Sequence, residues 1–287
     1  SILGARVIDP ASGLDQVTDL HLEAGKIIAI GAAPSDFSPS QTIDAKGLVA
    51  APGLVDLNVA LREPGYSRKG SIASETRAAA AGGVTSLCCP PHTKPILDTS
   101  AVTELILDRA REAGNCKVFP IGALSKGLEG EQLAELIALR DAGCVAFGNG
   151  LESFRSTRTL CRALEYAATF DLTVIFHSQD RDLAEGGLAH EGAVASFLGL
   201  PGIPETAETV ALARDLLLVE QSGVRAHFSQ LTSARGVALI AQAQARGLPV
   251  TADVALYHLI LTDEAMIDFS SLYHVQPPLR TLAVRDG

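Results

Sequence analysis

The segment APGLVDLNVALREPG, residues 51–65, sets the reading of this chain. It belongs to an apolar run, Val49 to Val59, that ends in a loop marked by Arg62, Glu63, Pro64 and Gly65. A helical stretch, Ser71 to Ala81, follows. A near-continuous apolar run bounded by turn residues reads as a strand covered on both faces. The order strand, polar loop, helix is therefore the first of a series.

Working outward, the same unit recurs. Val84 to Cys89, Val118 to Ala123, Cys144 to Phe147, Thr173 to Phe176, Arg225 to Gln230 and Pro249 to Ala255 read as strands. Between them lie amphipathic stretches: Thr99 to Ala113, Gly130 to Ala142, Ser156 to Ala168, Glu205 to Ser222 and Ser233 to Arg246. Leu133, Leu136 and Ile137 show the i, i+3, i+4 spacing of one helix face. Glycines at 82–83, 143, 223 and 247 stand where helices should end. Repeated strand–helix units predict an α/β fold with a parallel sheet and outer helices, a TIM-type (β/α) barrel. Seven strand starts are visible where a closed barrel has eight. The expectation is an incomplete barrel over 49–287, with a last strand, its helix and C-terminal sandwich strands lying past Gly287.

Residues 1–48 read differently. Ala5 to Ile8, Asp19 to Glu23 and Lys26 to Ile30 are short strands, the last two flanking a turn at Ala24-Gly25. Pro34 to Ser40 is a loop. This region is expected to form part of a small β-sandwich.

Composition narrows the function classes. The chain has no tryptophan, so its core must come from Ala, Val, Leu and Ile. A net charge of −10 argues against nucleic acid and anionic membrane as partners, since both are polyanions. No stretch reaches the ~18 apolar residues of a membrane span, and residues 1–6 lack the pattern of a signal peptide. A cytoplasmic protein is expected. The five cysteines, 88, 89, 116, 144 and 161, include no Cys-x-x-Cys pair and read as buried reduced thiols.

In barrels of this class, functional side chains stand at the C-terminal ends of strands. Those positions are Asn58, Ala60 and Arg62 after the first strand, His92 after the second and Asn149 after the fourth. His177 follows the fifth, Gln230 the sixth and His258 the seventh. No Gly-x-Ser-x-Gly occurs, and no cysteine sits beside a histidine at a strand end. A new site built from His177, His227 and His258 lacks any supporting His-x-His or His-x-x-x-His spacing. His190, His227 and His258 read as structural.

Residues 51–65 resemble the dihydroorotase signature of the amidohydrolases, in which the first strand ends in His-x-His-Leu-Arg-Glu-Pro-Gly. Further stretches resemble that family in order along the chain: Gly83 to Ser86, Pro91 to Pro95, His190 to Val194, Leu200 to Pro204, Leu261 to Glu264 and Pro277 to Arg280. The resemblance implies a family whose chemistry uses two zinc ions bridged by hydroxide. Zinc needs several imidazole or carboxylate ligands at about 2.0–2.2 Å, and it lowers the pKa of bound water to make a nucleophile. The family also uses an aspartate at the end of strand eight as general base.

This sequence departs from that pattern at nearly every ligand. Asn58 and Ala60 stand for the two strand-one histidines. The strand-four carboxylate falls on Gly148-Asn149-Gly150, and the strand-six histidine on Gln230. Of the visible metal positions, His177 alone persists. Asn58, Ala60, Asn149, His177 and Gln230 are thus read as vestigial metal positions, with no zinc expected and no catalytic residue assigned. The resemblance gives Arg62 the position that pairs with the substrate carboxylate, a fork-to-carboxylate contact. The asparagine that assists it in the family is replaced by His92. An internal ion pair of Arg62 with Glu63 or another acid is the favoured reading, with residual substrate binding by Arg62 and His92 beside it.

Three functions follow from the resemblance. The first is a catalytically inactive dihydroorotase homologue, oligomeric, that supports the assembly of aspartate transcarbamoylase in pyrimidine biosynthesis. The second is an active zinc-dependent dihydroorotase or other cyclic-amide hydrolase. The third is a sensor of a pyrimidine intermediate. The fold would be retained for its surface in the first and for its pocket in the other two.

Overall fold

The computed structural model describes residues 1–287. The backbone divides into two compact units, one of residues 1–55 with 83–85 and one of 56–82 with 86–287.

The first unit is a five-stranded sheet. Strand β1 (Ile2–Asp9) pairs antiparallel with β2 (Leu14–Glu23), and β2 pairs with β3 (Lys26–Ile30). Two short strands, β4 (Ile43–Asp44) and β5 (Val49–Ala50), run parallel to β1. The β2–β3 turn works because Ala24 and Gly25 both hold positive φ, 49° and 75°. That twist matches the flanking strands. A small core of Ala5, Val7, Leu20 and Ala45 holds the sheet. It is a single layer, where part of a small β-sandwich was expected. The expected boundary at residue 48 also moves. Pro52 has no N–H to donate, and the run read as one strand, Val49 to Val59, is two: β5, on β1, and β6 (Leu54–Asp56).

The second unit carries the strand–helix series. After β6 come α1 (Ile72–Ala81), β7 (Val84–Cys89), α2 (Ser100–Ala113) and β8 (Lys117–Ala123). Then follow α3 (Leu136–Ala142), β9 (Ala146–Gly148), α4 (Thr157–Thr169) and β10 (Thr173–Phe176). An excursion follows: α5 (Arg181–Ala184), β11 (Ala189–His190), α6 (Ala193–Leu198) and β12 (Gly202–Ile203). The series ends with α7 (Glu205–Ser222), β13 (Arg225–Phe228), α8 (Ala234–Ala245), β14 (Val250–Ala252) and α9 (Leu282–Asp286). Strands join in the order β14-β13-β10-β9-β8-β7-β6, which is chain order once the excursion strands β11 and β12 are set aside, as a (β/α) barrel requires. The sheet does not close, since β6 and β14 each have one neighbour in it.

Capping fixes the helix starts. Ser71 and Ser74 form a reciprocal capping box on α1. Ser156 and Ser233 cap α4 and α8 through their hydroxyls. Left-handed glycines 114, 143 and 223 end α2, α3 and α7. Between sheet and helices, Val174, Phe176, Ala226, Phe228 and Val250 are buried, and the Phe176 and Phe228 rings stack at 5.0 Å.

Helix α3 starts six residues later than its periodicity predicts. Residues 125–133 form a tight loop instead: Ser125 pairs with Leu133, and the Ser125 hydroxyl accepts from Gly130 N. Cys89 and Cys144 are buried, while Cys88, Cys116 and Cys161 are half-buried and correct the expectation of five buried thiols; all five are free. No helix is long and apolar enough to cross a membrane.

Candidate functional site

A cavity of about 610 Å³ opens at the C-terminal ends of the second unit's strands. The fold brings six of the seven sequence-selected residues to its wall: Asn58, Ala60, Arg62, His92, His177 and Gln230. Asn149 is not among them. Its carbonyl oxygen accepts from Ser125 N (3.1 Å) and Ser125 Oγ (2.9 Å), and its amide donates to the Leu128 carbonyl (3.3 Å). It is a buried loop brace. The flanking glycines 148 and 150 line the cavity in its place.

Gly150 has φ +57°, and a Cβ there would sit 1.7 Å from Cε1 of His92. The His92 ring therefore occupies the space a residue-150 side chain would need. Its Nε2 accepts from Leu151 N at 3.3 Å, tying the loop after β7 to the loop after β9. Burial lowers the His92 pKa, against a weaker pull from Glu152.

His177 sits at the end of β10. Part of its ring edges the cavity, but its Nε2 is buried without a hydrogen-bond partner. Burial depresses its pKa to about 4, outweighing a hydrogen bond to Gln179. It is a neutral imidazole at neutral pH.

Arg62 differs from expectation. It forms no ion pair. Glu63, its expected partner, caps α1 by accepting from Ile72 N at 2.9 Å. Arg62 and Gln230 both hold left-handed backbones, with φ of 65° and 59°. Such conformations in non-glycine residues are strained and cluster at functional sites.

Behind the wall lies a polar assembly that the sequence reading did not pick out. Asp253 accepts from Gln230 N through Oδ1 and lies 2.9 Å from His227 Nε2 through Oδ2; His227 Nδ1 is 2.8 Å from Thr251 Oγ1. Burial works against the Asp253 charge, but His227 and the Gln230 amide hold its pKa below the usual range. Glu208 on α7 accepts from the backbone N–H and hydroxyl of both Thr232 and Ser233 at the start of α8. Arg280 donates to Thr232 Oγ1 (2.8 Å) and to His190 Nδ1 (3.0 Å), with a guanidinium nitrogen 3.8 Å from Glu208. Glu208 and Arg280 are each 4% exposed. Asp215, two turns along α7 from Glu208, is 2% exposed; burial raises its pKa to about 6 despite a 2.8 Å contact with Arg214. His258, also buried, meets the Pro277 carbonyl through Nε2 at 3.2 Å. His190, His227 and His258 are thus each held by hydrogen bonds within the framework.

The cavity's donors do not fit a zinc pair. Asn58 and Gln230 offer amides, Ala60 a methyl group, and Asn149 is turned away into its loop. No three His, Cys, Asp or Glu side chains lie together in a way that would hold a metal ion. Neutral imidazole and carboxylate are what zinc selects; the wall carries two imidazoles, His92, whose Nε2 already accepts from Leu151 N, and His177. Cys89 lines the cavity, but burial lifts its thiol to about 12, far from the thiolate a nucleophile needs. What remains is a pocket of amides, apolar wall and two cations, Arg62 and Lys69, suited to binding.

A family model described as dihydro-orotase-like matches residues 47–235. A dihydroorotase-like protein of Pseudomonas putida is 82% identical over 287 residues, covering 100% of this chain and 68% of that protein. One of the same name from Pseudomonas aeruginosa is 80% identical over the same span. A dihydroorotase of Syntrophobacter fumaroxidans is 47% identical over 280 residues, covering 96% of this chain and 64% of that protein. Among solved structures, an L-hydantoinase (dihydropyrimidinase) from Arthrobacter aurescens superposes with a TM-score of 0.83 at 24% identity, covering 99% of this chain and 64% of that one. That likeness shows an α/β amidohydrolase barrel fold. The chain spans about two-thirds of the length of these relatives.

Proposed function

The chain belongs to the dihydroorotase-like family, and from that premise we propose that its protein is a non-catalytic member that supports the assembly of aspartate transcarbamoylase in pyrimidine biosynthesis. The observation that carries the non-catalytic half is the cavity wall itself. Where the family chemistry calls for imidazoles and a carboxylate, Asn58, Ala60 and Gln230 face the cavity and Asn149 faces away. Amides and a methyl group do not hold Lewis-acid cations, so water is not activated there. The relatives at 80–82% identity carry the name dihydroorotase-like protein, while those at 42–47% are named dihydroorotase. That division of names is in keeping with a branch that has left the chemistry.

The family resemblance suggests the partner, and the retained framework supports a structural role. The helix caps, the Glu208–Arg280 network and the barrel packing are intact around an inert pocket. A fold kept in this state is kept for what it presents outward. On this reading the protein is oligomeric, cytoplasmic and free of zinc.

Two measurements test it. The full-length protein is assayed for bound zinc and for dihydroorotate turnover. Stoichiometric zinc with turnover supports an active cyclic-amide hydrolase, the activity that the relatives' name dihydroorotase suggests, and ends the non-catalytic reading. Separately, aspartate transcarbamoylase from the same organism is purified with and without this protein and its assembly followed by light scattering. Unchanged assembly and activity ends the partner assignment.

A further inference from the structure

Beside the cavity lies a second concavity of about 600 Å³, a polar groove between the loops after β7, β8, β9 and β10. The two spaces share four wall residues: Tyr66, His92, Thr93 and Leu151. The partition between them is therefore thin. One hydrogen bond crosses it, from Leu151 N to His92 Nε2 at 3.3 Å.

The loops on either side are braced separately. Thr93 N and Leu97 N donate to the Pro91 carbonyl at 2.8 and 3.2 Å, and Lys94 N donates to the Pro64 carbonyl at 3.0 Å. Opposite them, Asn149 is fixed to Ser125 and Leu128, and Ser153 Oγ donates to the Gln179 carbonyl at 2.8 Å. No second hydrogen bond joins residues 91–97 to residues 149–155. Each loop can keep its own bonds when the one between them breaks.

That bond carries a chemical condition. An imidazole nitrogen accepts only while it holds no proton, and in the charged ring both nitrogens are donors. A protonated Nε2 would meet the Leu151 N–H donor to donor. Burial keeps the ring neutral, while Glu152 on the opposite loop pulls the other way. His92 and His177 disfavour each other's charge. Arg62, Glu63 and Lys69 face the cavity side, and Glu129, Arg155, Arg181 and Glu185 the groove side. Glu152 itself lines the groove, so a charged ring is drawn out of the partition toward it.

We propose that His92 is a releasable latch on a side entrance to the cavity. With Nε2 unprotonated, the ring bridges to Leu151 and the partition is shut. With Nε2 protonated, the bond breaks, the ring turns toward Glu152 and the cavity opens into the groove. His92 thus governs access to the pocket through the loop it holds. The latch goes beyond the assembly reading and does not depend on it.

The test follows two signals of the full-length protein by nuclear magnetic resonance between about pH 8 and about pH 4.5, the range in which imidazole changes charge. One is the His92 Cε1–H resonance, which reports the ring's titration. The other is the exchange of the Leu151 amide, corrected for the intrinsic effect of pH. Protection at Leu151 should fall about fivefold as the ring titrates, the worth of one ordinary hydrogen bond, while the Ala123 amide, bonded to the Leu97 carbonyl, should not follow it. His92→Ala should lack the protection at every pH. His92→Gln, whose amide oxygen accepts without titrating, should keep it at every pH. Circular dichroism checks that both variants fold, and the wild-type titration decides alone if they do not. Crystal structures of the wild type at the two ends of the range should show a closed partition and then one continuous channel. The proposal is overturned if Leu151 protection is unchanged through the ring's titration, if the ring stays neutral across the range, or if the ring leaves and the partition stays closed. Each of these results leaves the zinc and assembly tests untouched.

Discussion

The cavity wall and the polar assembly behind it meet in the loop after β13, at Gln230 and Thr232, and are opposite in character. On the wall, Asn58 and Gln230 engage the framework through their backbone N–H groups and make no side-chain hydrogen bond. Behind it, Glu208 accepts four hydrogen bonds and Arg280 donates to two side chains, both in near-complete burial. Of the departures from the family pattern, Asn58 and Gln230 carry no side-chain bond, while Asn149 and His92 are hydrogen-bonded into their loops. The charges whose loss would strand a buried partner are still present.

This contrast can be broken by mutation. Glu208→Gln should have the largest effect, because it leaves the Arg280 charge buried without its counterion and weakens the start of α8. A loss of about 3 kcal/mol is expected in urea unfolding; a loss under about 1 kcal/mol would mean the assembly is decorative. Asp253→Asn should cost about 2 kcal/mol, since a charge-assisted bond to His227 and a bond to Gln230 N both weaken. The same unfolding measurement reads it.

A pH scan sharpens the comparison further. The folded His177 pKa of about 4 lies below its unfolded value, so the unfolded chain binds more protons as pH falls from about 6.5 to 4, and His177 costs stability there. Asp215 has the reverse sign. Its folded pKa of about 6 lies above its unfolded value, so the folded chain binds more protons between about pH 6 and 4, and acidification relieves it. The two oppose each other in one window. Asp215→Asn should remove the relief and make melting temperature fall more steeply with acid than in the wild type. A parallel fall in the two proteins would contradict this.

The smallest effects belong to the wall. Asn58→Ala and Gln230→Ala should each shift unfolding by less than about 0.5 kcal/mol. A cost near that of Asp253→Asn would show that these amides are structural after all.

The framework was largely legible in the sequence. Thr173 to Phe176 and Glu205 to Ser222 were readable to the residue because apolar run and helical period end in clear turn signals. The start of α3 was not, because Gly130 and Ser125 close a loop whose hydrogen bonds are not local to the helix. The wall residues were legible through position at strand ends. Asn149 was misplaced into the cavity because strand-end position does not say which way a side chain turns. The ion pair expected for Arg62 is absent because Glu63 serves α1. Glu208 and Asp215 were passed over because charges on a helix are usually solvated. A signal was present: 208, 212, 215 and 219 fall on one face of α7, and Leu212 and Val219 there are buried. A charge inside an apolar stripe marks a buried partner.

The packing of His92 against Gly150 has a corollary. A Cβ at position 150 would lie 1.7 Å from Cε1 of His92 as the ring now sits, so a larger residue there requires the ring to move. Moving it gives up the acceptor for Leu151 N. Positions 92 and 150 are therefore coupled, and a change at one is felt at the other.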